Sequence, residues 1–233
     1  MPISDNAKLY VRGIIFVLLG VMVTVLGIVA VGFFSDYFTA HPALAAVAVS
    51  NSLGLDLLGA VAPLMAAIIS FALFVKATSF PIWKFAVTFL ASAVLAFLLF
   101  HPSSGGVEGF SLLYALGVGA VAVAANVFPK LQVDYRKIVA STLLALACVP
   151  LSLFAVDFFY SQGYVGSVIG GNGLADALLV CTLYAPLAVT AAFSVLAYVS
   201  RTVWLVGKSR DVASTQLRSR INTGVSGDAK NVS

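Results

Sequence analysis

The sequence predicts an all-α polytopic membrane protein with six transmembrane helices and both termini cytoplasmic, and three observations carry that prediction. The chain is 61% hydrophobic and 9% charged, with a mean hydropathy of +1.06, where a soluble domain carries about 25% charged residues. Its apolar residues come in runs long enough to cross a hydrocarbon core of roughly 30 Å as helices, not in the alternating segments of about ten residues that build a membrane barrel. Finally, all 13 Lys and Arg residues fall on one side of the connections those runs define, the side expected to be cytoplasmic.

Residues 11–34 form the first expected span. It is taken as a retained helix because it has no convincing small-residue cleavage site and is longer than the apolar core of a signal peptide. After the polar turn SDYFTAHP (35–42) comes ALAAVAVS (43–50), too short to cross. It is an interfacial segment, a re-entrant piece or the early start of a tilted helix. The second span is placed at 53–75 and the third at 82–100, ending at HPSSGG (101–106), where proline and paired glycine stop a helix. The fourth, 110–128, holds Gly117, Gly119 and many alanines, which let neighbouring backbones approach closely. The fifth, 138–160, contains Pro150, and the sixth, 174–199, contains Pro186. Between them lies SQGYVGSVIGGNG (161–173), glycine-rich and uncharged. The six spans make one domain, 1–204, followed by a basic tail, 205–233, without sustained apolar periodicity and expected to be partly disordered.

Charge placement fixes the topology and the span count together. Lys8 and Arg12, Lys76 and Lys84, Lys130, Arg136 and Lys137, and Arg201 with the tail residues share one side. The opposite side holds Asp36, Glu108 and Asp157 as charges, with His41 and His101. Adding or removing one span would scatter the basic residues over both faces. The expected location is therefore the cell membrane, with the basic tail drawn to anionic lipid headgroups. Nucleic acid is not an expected partner, since no folded basic module accompanies the tail.

Most familiar chemistries lack their residues here. Cys148 and Cys181 lie in separate spans and form no CxxC pair. The histidines stand at span boundaries, away from the positions that ligate a membrane haem. The sequence has no GxxxxGK[ST], no HExxH and no GxSxG. Neither a cofactor nor a metal is expected. The stretch GNGLAD (171–176) differs from the signature of presenilin-like aspartyl proteases, where the aspartate follows GxG directly; here Leu174 and Ala175 intervene, and no YD lies in a neighbouring span.

The carboxylates Asp56 and Asp176 remain, each expected about three residues into a helix at the outer face, with Pro63 and Pro186 further along. One reading makes them helix caps facing the positive end of the helix dipole. The other places Asp56, Asn172 and Asp176 on an outward-facing polar path, with Pro186 freeing a backbone carbonyl in the last span. The path reading makes the chain a small transporter or channel-like protein. The alternative is a non-catalytic transmembrane subunit that forms homo- or hetero-oligomers through its small-residue helix faces. An enzyme acting on lipid or peptide would need a second convergent catalytic group.

Overall fold

The computed structural model describes residues 46–50, 53–78, 82–103, 106–128, 135–161, 167–170 and 176–199, together with ten helical positions between 15 and 33. Four helices are long and apolar enough to cross a membrane: Leu57–Thr78, Ile82–Leu99, Arg136–Tyr160 and Ala177–Val199. The chain is thus a multi-span helical membrane protein, and the expected count of six is corrected to four among the described residues. The expected fourth span is a helix of only 17 residues, Ser111–Val127. At 1.5 Å per residue it reaches about 26 Å, at the lower limit for crossing. It ends at Phe128, which is extended (φ −71°, ψ 145°) because Pro129 disfavours the helical conformation of the residue before it. Most of the expected first span, 11–34, lies outside the described residues, as do the turn at 35–42 and the tail at 205–233. Those described within that span include Ile15, Leu18, Met22, Val25, Leu26, Val29 and Phe33, which are helical and exposed at helical spacing.

In chain order the elements are β1 (Ala46–Ser50), β2 (Leu53–Asp56), a π-helical turn (Leu57–Val61) running into α1 (Ala62–Thr78), α2 (Ile82–Leu99), β3 (Phe100–Ser103) and β4 (Gly106–Gly109). They are followed by α3 (Ser111–Val127), α4 (Tyr135–Ser161), β5 (Ser167–Ile169) and α5 (Ala177–Val199). None of the strands was expected. The segment 43–50 contributes β1, antiparallel to β2 with Val47 opposite Leu55, and β5 joins β2 in parallel with Gly54 opposite Val168. A second pair, β3 and β4, sets His101 against Glu108. The second span therefore starts later than expected: residues 53–56 are strand, where pairing with β1 and β5 satisfies backbone groups a helix would have bonded internally.

The five strands among the described residues lie in the three connections without Lys or Arg, whereas Lys76 stands in the last turn of α1. We call the two ends of the bundle the strand end and the basic end. α4 is the central helix and packs against α1, α2 and α3. α2 is peripheral, with only 17% of its span buried against 61% for α4. Its outward stripe, Val87, Leu90, Val94 and Leu98, is exposed and apolar, as a lipid-facing helix should be. The small residues of α3 are used within the chain. A Cβ on Gly117 would meet the Leu95 side chain at 3.0 Å, and one on Gly119 would meet the Ala188 backbone at 2.9 Å. These close approaches bring α3 against α2 and α5, the packing that replaces a hydrophobic driving force between helices in lipid. The compact unit runs from Met1 to Ser194, and Val195–Ser233 form a second unit, described only to residue 199.

Candidate functional site

The strand end gathers the carboxylates. Asp56 closes β2 in an extended conformation (φ −71°, ψ 136°), and its Oδ1 accepts hydrogen bonds from the backbone N–H groups of Leu58 at 2.9 Å and Gly59 at 2.6 Å. It is the N-cap of the π turn and not a residue inside a helix. Asp176 has the same role for α5: it precedes the helix, its Oδ1 accepts from the Leu178 N–H at 2.9 Å and its carbonyl from the Val180 N–H at 2.9 Å. The two caps differ in exposure, since Asp56 is half-buried and Asp176 only 2% exposed. Capping geometry is therefore present at both, and at Asp176 it coexists with near-complete burial of the carboxylate.

Sequence reasoning assigned Asp157 to the outer-side charges and missed its position. It lies inside α4, 6% exposed, and its Oδ2 accepts from the Gly170 N–H at 3.4 Å. The signal was present: in FAVDFF it is the one charged residue between Lys137 and Asp176. Gly170 has φ +77°, a left-handed conformation that costs a residue with a Cβ about 1–2 kcal/mol. Its backbone lies directly on Gly59, where a Cβ would meet the Gly170 carbonyl carbon at 2.8 Å. A contiguous line thus runs from Asp157 through Gly170 and Gly59 to Asp56, joining α4, the turn after β5, the π turn and β2. The wider turn carries Gly59 and Ala60, both buried. Non-helical backbone at membrane depth is tolerated only where protein or a water-filled space surrounds it, and π turns recur at functional sites.

Asn172 lies within residues 171–175, outside the described residues. Pro186 is buried within α5. The neighbouring hydroxyls are occupied elsewhere, Thr182 donating to the Leu178 carbonyl at 2.6 Å and Thr190 to that of Leu187 at 2.8 Å. Neither meets the Thr182 carbonyl that Pro186 leaves without a helical donor.

A second polar cluster, also unforeseen, lies deeper in the bundle. Ser92 of α2, Tyr114 of α3 and Ser152 of α4 form a triangle of hydroxyls with every edge 2.6 Å, and none of the three has exposed surface. Pro150 sits half a turn before Ser152, whose Oγ is also 2.7 Å from the Cys148 carbonyl. At the basic end the Lys84 ammonium donates to the Asn126 Oδ1 at 3.2 Å, while the Asn126 amide donates to the Ala122 carbonyl at 3.0 Å.

Among the described residues no three His, Cys, Asp or Glu side chains gather as they would around a metal ion. Both cysteines are free and buried, and Cys181 donates weakly to the Ser111 carbonyl at 3.6 Å. At the strand end two buried carboxyl groups, Asp157 and Asp176, each accept a backbone N–H. Comparison with protein-family models, with curated proteins and with solved structures finds no match for this chain.

Proposed function

We propose that this protein is a small membrane transporter for a cationic solute, protons included, with its acidic strand end facing outward and both termini cytoplasmic. The observation that carries the proposal is the burial of two carboxyl groups, Asp157 and Asp176, at the strand end of the bundle. Burial disfavours the charged form of a carboxyl, and a carboxyl held inside a membrane bundle is suited to exchanging a proton or small cation. Asp56, linked to Asp157 through Gly59 and Gly170, and Asn172 are the further residues we assign to the path, and Pro186 loosens the helix that Asp176 caps. The basic tail rests on anionic headgroups in this arrangement.

Asparagine substitutions separate charge from structure. Asn caps a helix about as well as Asp, and its side-chain oxygen still accepts from the Gly170 N–H, so Asp157→Asn and Asp176→Asn keep the hydrogen bonds and remove the charges. Reconstituted protein on a solid-supported membrane should give a charge movement after a sodium or proton jump. The double variant should give none while eluting as folded protein. A double variant with the wild-type signal refutes the transport reading.

The broad exposed face of α2, the least buried of the four spans, favours one second reading, a non-catalytic subunit whose partner covers that face. Purification in mild detergent distinguishes the two, because a subunit travels with a stoichiometric partner and moves no charge alone.

A further inference from the structure

The inward face of α2 is polar although its outward face is greasy. Lys84, Thr88 and Ser92 recur every fourth residue. Thr88 and Ser92 have no exposed surface, while Val87, Leu90 and Val94 beside them are exposed. On α4, Ser141 and Ser152 lie about three turns apart on one face and are also fully buried. Two of these hydroxyls, Thr88 Oγ1 and Ser141 Oγ, are buried with no hydrogen-bond partner. Left dry, each costs about 1–3 kcal/mol, a cost that an ordered water removes.

Depths along α2 put these groups in file. Ser92 lies about 10 Å below Leu99, Thr88 about 6 Å further and Lys84 about 6 Å further again. Each 6 Å step fits one water, since two O–H···O bonds of roughly 2.8 Å span it. Toward the strand end, the Cys181 thiol lies within electrostatic reach of both the Tyr114 hydroxyl and the Asp176 carboxyl.

We propose that this file is a proton path, a chain of hydroxyls and ordered waters from the Ser92–Tyr114–Ser152 ring through Thr88 to the Lys84–Asn126 pair. It rests on the transport reading and gives it a substrate class, the proton. In the ring three hydroxyl hydrogens serve three edges, so each oxygen donates once and accepts once. An arriving proton adds to a lone pair, the hydrogen already on that oxygen passes to the next, and only O–H bonds, or N–H bonds at Lys84, form and break. No electron moves. Resetting requires a hydroxyl to rotate, and Ser152 has the place to do so, because its hydrogen serves either the ring or the Cys148 carbonyl at 2.7 Å. Metal cations are disfavoured twice over: hydroxyls alone make no cage to replace a hydration shell, and the Lys84 ammonium repels positive ions at the basic mouth, whereas a proton is relayed there when the ammonium gives one N–H proton to water and the amine so formed takes the next from the file.

The test uses full-length protein in vesicles loaded with a pH-sensitive dye, with valinomycin and potassium setting the potential. Wild type should acidify the lumen faster than protein-free vesicles. Thr88→Val and Tyr114→Phe, which keep shape and delete only a hydroxyl, should each slow the flux about tenfold or more, equivalent to about 1.4 kcal/mol or more on the barrier. Thr88→Ser should keep it. If both hydroxyl deletions conduct like wild type while Asp176→Asn is inert, the file is refuted and the transport reading stands. A wild type no faster than empty vesicles also overturns the file, and the sodium-jump measurement then decides the transport reading by itself. Ser92→Ala serves as a second deletion should one variant fail to fold.

Discussion

Replacing Gly170 by alanine strains the contact that holds the candidate site together. A Cβ there would lie 2.6 Å from both the Ala60 nitrogen and the Gly59 carbonyl carbon, at a residue whose φ is +77°. The left-handed conformation contributes about 1–2 kcal/mol and the overpacking about 1–3 kcal/mol, so Gly170→Ala should destabilise by about 2–5 kcal/mol. Gly59→Ala carries the overpacking cost without the conformational one, because its obstruction is the Gly170 backbone, and it recovers up to about 1 kcal/mol of helix propensity. Both single variants report one contact, so the double variant should fall short of their sum by about 0.5 kcal/mol or more. Gly32→Ala is the control: nothing lies within 4 Å of its Cβ, and alanine there should be neutral or stabilising. Thermal midpoints of the four variants, measured in one detergent by fluorescence-detected gel filtration, would rank them. A Gly170→Ala midpoint equal to wild type refutes the packing argument and, with it, the placement of the Gly170 N–H on Asp157.

Other expectations follow from single contacts. Tyr114→Phe leaves two hydroxyls bonded to each other and should lower stability by only about 0.6–1.5 kcal/mol, seen as a small drop in the same midpoint; a collapse of the fold would show that the ring is a structural keystone. Asp56→Ala should cost about 0.5–2 kcal/mol and Asp56→Asn little, whereas equal losses in the two would remove the capping role. Cys148 and Cys181 have no exposed surface, so in intact cells an impermeant maleimide should leave wild type unlabelled. The same reagent should label His101→Cys at the strand end and not Lys76→Cys at the basic end, and the reverse pattern would invert the proposed orientation.

Composition and run length made the membrane class and the approximate spans legible. The glycines of α3 were recognisable as packing residues, though which helices they meet was not. What stayed hidden was the strand end. Residues 53–56 carry little local signal for a strand, and one of the two strands they pair with, β5, is more than a hundred residues away in the chain. The register of Leu53 with Ser167 is a tertiary fact. The same separation concealed Asp157: its importance depends on Gly170 folding back against α4, while its local sequence reads only as one acid near a helix end. Asp56 and Asp176 stood out in the sequence, yet their caps depended on helix starts four and three residues later than periodicity suggested, at Leu57 and Ala177. Ser92, Tyr114 and Ser152 come from three helices, and no single-sequence pattern links them. Thr88 and Lys84 were nearer to view, since their spacing with Ser92 marks one face of α2. Membrane helices are apolar nearly all round, however, so periodicity alone could not say which face turned inward.

The claim that buried carboxyls at the strand end take up and release the transported cation is tested most directly by infrared difference spectroscopy. Reconstituted protein would be held on an internal-reflection crystal while the bathing buffer is switched between two pH values, or between sodium-free and sodium-containing solutions. Wild type should give a difference band in the carboxyl C=O region that disappears in the Asp157→Asn, Asp176→Asn double variant. An unchanged band in that variant, or none in wild type under either exchange, would contradict the assignment of these two residues to the transport path.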